Sequence, residues 1–331
     1  MTTTTNMTLG ALTDLVVRAF LASDVSDENA RIVAQALIAA QIDGQGGHGL
    51  SRVASYAAQV ASGKVQGRVT PKLSHPKPAL LNIDALNGFA FPALSMAINE
   101  LPAIAQANGV AAAYIHNSHH CGQVGGHVER LAEAGVIALM VANSPPAMAP
   151  WGGSTPLFGT NPIAFAAPRA DAPPLVIDLS LSKVARGKVM AAAKAGEAIP
   201  EGWALDAAGN PTTDAQAALQ GTMLPTGDAK GAALALIVEI LCATLTGANQ
   251  SFEATSFFEA DGAPPGVGQT LIAFAPDAGF TVRLEGLLTT LLAQDGTRLP
   301  GAGRQSKRMA AKTNGLNVPD HLLTEIQAIA G

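Results

Sequence analysis

The window Gly44-Gln45-Gly46-Gly47-His48-Gly49 carries the spacing G-x-G-x-x-G, and its place in the chain constrains the fold more than any other stretch. In a dinucleotide-binding strand–turn–helix unit, that spacing must follow a strand and open a helix. Here it follows a helical pattern. Ser26-Asp27-Glu28 reads as an N-cap with acids in the first turn, and Val33, Leu37, Ile38 and Ile42 then recur on one face. The glycines therefore mark a break between helices, where the backbone can take positive φ and let a neighbour approach closely. His48 among them is a candidate proton donor or acceptor, and Arg52, four residues on, offers a planar fork suited to a carboxylate. The same residues also fit a helix-to-helix turn whose histidine only caps a neighbour.

Around this turn the start of the chain is helical. Leu9, Leu12, Leu15, Val16, Ala19 and Phe20 give a first amphipathic helix, and a third runs over 51–62 to a stop at Gly63. From residue 79 the texture changes. Residues 79–84 are strand-like, with a turn at Asn87-Gly88; a helix over 92–108 has a kink at Pro102 and a stop at Gly109. Runs at 110–115, 136–142, 175–179 and 270–274 read as short buried strands, with helices over 124–134 and 232–245. Helices return at 282–293 and 319–329. The pattern predicts an α/β centre without the regular beat of a doubly wound sheet, inserted between a helical start and end that pack together. Residues 1–78 with 280–331 form one part and 79–279 the other.

With 48% hydrophobic and only 14% charged residues among 331, the chain can build a sizeable core, and global disorder is excluded. So low a charged fraction leans toward a surface partly covered by another subunit. A net charge of −5 without a basic run argues against a nucleic-acid partner, and no apolar run long enough for a membrane span occurs. The polar start Met1-Thr2-Thr3-Thr4-Thr5-Asn6 lacks the order of a signal peptide, and Cys121 and Cys242 are too few for a disulfide framework. A soluble, cytoplasmic, enzyme-sized protein is the expectation.

Further chemistry gathers in four segments. Residues 117–127, Asn-Ser-His-His-Cys-Gly-Gln-Val-Gly-Gly-His, follow a strand and open a helix, a setting suited to an anion such as a cofactor phosphate, with His120 facing a reacting carbonyl. Metal binding by His116, His119, His120, Cys121 and His127 competes, but adjacent histidines on extended backbone point apart and no spacing matches a zinc pattern; a purely structural role is the third reading. The proline-rich stretches 143–153 and 157–162 fit a rigid pocket wall or a rigid surface loop. Asp178, Ser180 and Ser182 end a strand and could bond ribose or phosphate, although Ser182 also suits an N-cap; Arg186 and Lys188 follow on the next helix. Lys230 sits at the start of the apolar helix, again favourable for phosphate.

Taken together these words resemble the malate/L-lactate dehydrogenase type-2 family, distinct from the Rossmann lactate and malate dehydrogenases. The resemblance rests on Asp43, His48-Gly49 and Ser51-Arg52, on 117–122, on 143–153, on Gly159-Thr160-Asn161-Pro162, on Asp178-Leu179-Ser180, on Lys230-Gly231 and on Leu299-Pro300-Gly301. It implies a homodimeric oxidoreductase that uses NAD or NADP in a non-Rossmann cofactor domain, with the active site at the subunit boundary. By motif, His48 and Arg52 lie at the substrate, and His120, Cys121, Gly122, Gln123, Val124, Thr160, Asp178, Leu179, Ser180, Lys230, Gly231 and Arg304 lie along the cofactor. In some members the histidine matching His120 is the acid/base, so both histidines are candidates. Members act on malate, lactate, sulfolactate, ureidoglycolate and the cyclic imines pyrroline- and piperideine-2-carboxylate. The imine reductases place a serine before the site histidine and an aspartate on the helix after the Asp-Leu strand; here those positions read Gly47 and Lys188. The lysine favours a dianionic 2-hydroxy acid of the sulfolactate or malate type, with imine reduction as the alternative and no metal.

Overall fold

The computed structural model describes residues 3–331; Met1 and Thr2 of the polar start lie outside the described residues. Helices α1 (Leu9–Ala22), α2 (Asp27–Ile42) and α3 (Val53–Ala61) form where the apolar spacing predicts them. Their caps are built from sequence-local groups: the hydroxyl of Thr8 accepts from Ala11 N, and that of Ser26 accepts from Asn29 N. Strand β1 (Thr4–Met7) pairs antiparallel with β12 (Leu316–Pro319), and α11 (Asp320–Ala330) packs on α1 and α3. Leu12, Phe20, Val33, Leu37, Val318 and Ile326 meet in this core, so the chain's start and end do pack together.

The second core covers a seven-stranded sheet. Its strands are β2 (Lys72–Lys77), β3 (Leu80–Asp84), β4 (Val110–Ser118), β5 (Ile137–Ala142), β6 (Ile163–Ala167), β7 (Leu175–Leu179) and β11 (Val267–Phe274). The order is β2-β3-β4-β11-β5-β6-β7. Only β3 and β4 run parallel, joined by α4 (Ala90–Asn108), which contains Pro102 and ends at Gly109 with φ of 82°. The late strand β11 inserts between β4 and β5, antiparallel to both. No doubly wound sheet has this order, in keeping with the irregular beat of the sequence. Helices α4 and α5 (Val124–Glu133) cover one face through Leu94, Leu101, Val128 and Leu131.

Several details differ from the sequence reading. The apolar helix begins earlier, as α8 (Asp228–Glu239), and opens into a π-turn over Ile240–Thr244. The reason is packing: β11 carries an irregular register between Val267 and Gln269, and a Cβ on Gly268 would overlap the Cys242 carbonyl, so the widened turn and the glycine fit together. Ser182 does not cap α6 (Arg186–Ala195); its hydroxyl donates to Val184 O, and Ala185 occupies the cap position. A small sheet of β8 (Ala204–Leu205), β9 (Pro211–Thr212) and β10 (Thr222–Met223), with α7 (Ala215–Gln220), packs on α6. Helices α9 (Phe280–Leu292) and α10 (Gly303–Asn314) precede the terminal strand. Among the described residues no helix is long and apolar enough to cross a membrane.

Candidate active site

The glycine turn joins α2 to α3 through two short 3-10 turns, Gly46–His48 and Leu50–Arg52. Arg52 Nε donates to Gly47 O at 2.7 Å, folding the guanidinium back across its own turn. His48, Arg52 and Tyr56 are spaced by four, so the turn and the first coil of α3 present all three on one side.

That side meets the end of β4. His48 Nδ1 lies 3.1 Å from His120 Nε2, and His120 Nδ1 lies 2.5 Å from the Tyr56 hydroxyl. The imidazoles of His48 and His120 are stacked, 16° from coplanar. Both nitrogens of the buried His120 are thus engaged, whereas His48 is half-buried and, among the described residues, its Nε2 has no hydrogen-bond partner. Burial, with a smaller push from the Arg52 charge, lowers the His48 pKa from 6.5 to about 4. Burial and then Arg52, His48 and His119 hold His120 well below its ordinary value. Both rings are neutral at physiological pH. Burial likewise raises the Tyr56 hydroxyl, so it remains protonated. Arg52 is itself buried; beyond the bond to Gly47 its Nη nitrogens take no partner among the described residues.

His119 packs beside His120 rather than opposite it. Both rings lie 5.2 Å from the Phe257 ring and both meet Tyr56 edge-on, because the extended backbone ends at Ser118. Among the described residues neither ring nitrogen of His119 has a partner, and burial takes its pKa to about 3. His127 Nε2 donates to Cys121 O at 2.8 Å and serves the loop. Among the described residues no three His, Cys, Asp or Glu side chains converge as a metal site.

The proposed cofactor residues gather at a neighbouring corner. Gly122, at φ of 68°, turns the chain into α5, and Gly125 N donates to Asp178 Oδ2 at 2.8 Å. A Cβ on Gly125 would lie 2.9 Å from that oxygen and 3.1 Å from Arg304 Nη1, so only glycine admits both groups. Arg304 Nη1 is buried without a partner among the described residues, and Leu179 beside Asp178 is 56% exposed. Burial raises the Asp178 pKa against the pull of Gly125 N–H and Arg304. Beyond β7, Leu181 N donates to Thr160 O and Leu181 O accepts from Thr226 N; the Thr226 carbonyl also lies where a Cβ on Gly231 would fall. Thr160, the Asp178–Ser180 strand end and the Lys230-Gly231 turn therefore share one edge, with Lys230 exposed. Gln123 instead donates to Asp43 Oδ2 at 3.3 Å.

Asp43 ties the two corners. Arg308, one turn after Arg304 on α10, bonds both oxygens of Asp43 and both of Glu129 at 2.7 Å each. Removing one partner from so enclosed an ion cluster typically costs about 3–5 kcal/mol. Lys188 stands apart: it is exposed on α6 and, among the described residues, makes no hydrogen bond to His48 or His120, while Arg186 donates weakly to Leu219 O at 3.4 Å.

Tyr56, Phe257 and Phe258 were not picked out by the sequence reading. The four-residue spacing from His48 and Arg52 marks Tyr56, whereas the two phenylalanines lie in an irregular segment with no period to mark them.

A family model described as malate/L-lactate dehydrogenase matches residues 7–327. The chain is 49% identical over 319 residues to (2R)-3-sulfolactate dehydrogenase (NADP(+)) of Chromohalobacter salexigens, covering 96% of this chain and 95% of that protein. It is 40% identical over 329 residues to Δ1-pyrroline-2-carboxylate/Δ1-piperideine-2-carboxylate reductase of Pseudomonas putida, covering 97% and 95%. The crystal structure of Δ1-piperideine-2-carboxylate reductase from Pseudomonas syringae pvar. tomato superposes with a TM-score of 0.93 at 39% identity, over 98% of this chain and 99% of that one.

Proposed function

The chain belongs to the malate/L-lactate dehydrogenase family, and from that premise we propose that it oxidises, reversibly, a dianionic 2-hydroxy acid of the 3-sulfolactate type at C2 with NADP. The observation that carries this reading is a pair of unused groups side by side. These are the open edge of the buried Arg52 and the free Nε2 of His48. A guanidinium edge accepts a carboxylate bidentately, and a neutral imidazole beside it reaches the oxygen on the adjacent carbon.

The His48–His120–Tyr56 chain orients His48 for both directions. Neutral His48 donates Nδ1–H inward to His120 Nε2 and presents its Nε2 lone pair to the substrate hydroxyl, whose proton it takes as C2 is oxidised. In ketone reduction the protonated ring gives its Nε2–H to the carbonyl oxygen and returns to neutral. An imidazolium formed on His48 is disfavoured by burial and by Arg52, which promotes proton release after oxidation. His48 is therefore the acid/base, and His120 acts behind it.

When bound, the nicotinamide supplies the hydride acceptor for C2. The residues we assign to holding the cofactor are His120 to Val124, Thr160, Asp178 to Ser180, Lys230, Gly231 and Arg304. The unpartnered Arg304 Nη1 fits an anionic oxygen, and the exposed Leu179 fits an apolar ring face. NADP rather than NAD follows the sulfolactate relative. We take residues 79–279 as the cofactor part and 1–78 with 280–331 as the substrate part. The cluster is in keeping with that division, since His48, Arg52 and Tyr56 meet His120 across it.

Lys188 is the cation we assign to the second anionic group, supported by its freedom from any acid partner on α6. Assay of 3-sulfolactate, malate, lactate and Δ1-pyrroline-2-carboxylate with both cofactors tests the whole reading. 3-Sulfolactate with NADP is expected to turn over fastest, and Lys188→Ala to weaken it by about tenfold more than lactate, the equivalent of ~1.4 kcal/mol. Equal losses would show that Lys188 does not meet the second anionic group. Turnover of the imine alone would transfer the case to the reductase reading, which the Pseudomonas relatives support.

A homodimer and a cytoplasmic location complete the proposal. Leu236, Ile237 and Ile240 leave α8 and its π-turn with an exposed apolar face, and Ile237 is 51% exposed. Such faces mark interfaces. Sedimentation is expected at twice 33.5 kDa, and Ile237→Glu is expected to shift it to the monomer. A monomeric wild type would refute the dimer.

A further inference from the structure

The segment 256–261 has no regular secondary structure, yet it lies against His119, His120 and Arg52. Phe257 packs on His119 and His120, and the Phe258 ring lies over the Arg52 guanidinium, 4.4 Å from Cζ to centroid. Phe258 is nevertheless 51% exposed. Its position is not explained by burial.

What fixes it is a set of hydrogen bonds from the end of α3. Gln59 Nε2 donates to Phe257 O at 3.1 Å and to Glu259 O at 3.0 Å. Lys64 Nζ donates to Ser256 O, Glu259 O and Asp261 O at 2.8, 3.0 and 3.1 Å. Ser62 Oγ donates to Ala260 O at 2.7 Å. Lys64 is only 1% exposed and spends all three ammonium protons on carbonyls, with no carboxylate among its partners. An ammonium enclosed with only carbonyls as bonding partners is costly, and here it secures three carbonyls of the segment that carries the Phe258 ring. Arg52, Tyr56 and Gln59 follow one another along the same side of α3. One helix therefore carries both the guanidinium and the grip on the ring that covers it.

We propose that Phe258 is a specificity-determining residue that closes one face of Arg52, and that Lys64 and Gln59 are positioning residues that hold it there. With a face covered, a carboxylate meets Arg52 only in plane, along the two Nη nitrogens. That sets the orientation of C2 relative to His48 Nε2. The inference rests on the reading of Arg52 as the carboxylate ligand, and both substrate classes weighed above carry that carboxylate.

Steady-state kinetics on the full-length enzyme, with whichever of 3-sulfolactate or Δ1-pyrroline-2-carboxylate it turns over, test the proposal. Phe258→Ala is expected to raise KM for the acid about tenfold, with kcat within about threefold and KM for NADP or NADPH unchanged. Phe258→Tyr, which keeps the ring, is expected to stay within about twofold of wild type. Lys64→Met is expected to reproduce the Phe258→Ala change, with the double variant falling short of the product of the two. If Lys64→Met does not fold, the Phe258→Ala and Phe258→Tyr pair still decides. An acid KM unmoved by Phe258→Ala overturns the proposal, as does an equal rise in the cofactor KM, or a Phe258→Tyr variant as impaired as the alanine. Arg52→Ala in the same assay separates the two failures. If it raises the acid KM while Phe258→Ala does not, only this inference falls; if it leaves that KM unchanged, the carboxylate reading falls and takes this one with it.

Discussion

His48→Ala lowers kcat/KM for 2-hydroxy acid oxidation by about 10²–10⁴-fold, the range for a lost general base, and His120→Ala costs at least about tenfold less. The order follows from the ring nitrogens. His120 Nε2 is taken by His48 and its Nδ1 by Tyr56, so a substrate proton can enter the chain only at His48 Nε2. The pH dependence carries the same assignment with a definite sign. The His48 pKa falls from 6.5 to about 4, so the basic form is present above about 4 and is lost as pH drops through that value. The acid limb of kcat/KM for oxidation is expected near 4, well away from the 6.5 of a solvated imidazole. Stopped assays from pH 3.5 to 8, with a control for irreversible inactivation, read it directly. A larger loss at His120 than at His48 would reverse the assignment of roles, and an acid limb near 6.5 would show a base that burial and Arg52 do not reach.

The parts of the fold visible in the sequence are those set by short-range physics. Ser26 before Asp27-Glu28 names the start of α2 because the cap, the acids and the apolar stripe all lie within a few turns. Gly109 ends α4 because the turn needs positive φ. Strand β6 escaped notice because Ile163–Ala167 is largely alanine and phenylalanine without alternation, flanked by Pro162 and Pro168. Helix α10 escaped it because Arg304, Lys307, Arg308 and Lys312 dominate a segment that buries only Ala311; its Arg308 bonds the Asp43 and Glu129 carboxylates, which no local pattern reveals. The site divides in the same way. His48 and Arg52 stand out from their glycine setting, and the words around His120 and Asp178 stand out as motifs. The rank of the two histidines depends on a contact across 72 residues of chain, and Phe258 reaches Arg52 across some two hundred. Adjacent histidines point apart only on extended backbone, and β4 ends at Ser118, before His119 and His120.

Arg52→Ala is expected to raise KM for the acid by roughly two orders of magnitude or more, because truncating one partner of a buried, hydrogen-bonded charge pair costs about 2–5 kcal/mol. Two properties make the effect large. Arg52 is only 8% exposed, so the carboxylate it receives loses water that only the guanidinium replaces. Its Nε is committed to Gly47 O at 2.7 Å, so the two Nη nitrogens are pre-aimed and little rotamer entropy is lost when substrate arrives. Arg52→Lys is expected to recover little. A lysine cannot hold the Gly47 carbonyl and present a two-pronged edge at once, and it offers no plane for Phe258 to cover. Methylguanidinium added to Arg52→Ala should restore part of the acid KM while leaving the cofactor KM alone, which a merely misfolded turn would not allow. A KM for the acid within about tenfold of wild type, with the cofactor KM raised instead, would place Arg52 at the nucleotide and leave the substrate carboxylate to Lys188. Dianions and lactate would then lose equally in Lys188→Ala, so the two variants check each other on the same substrate panel.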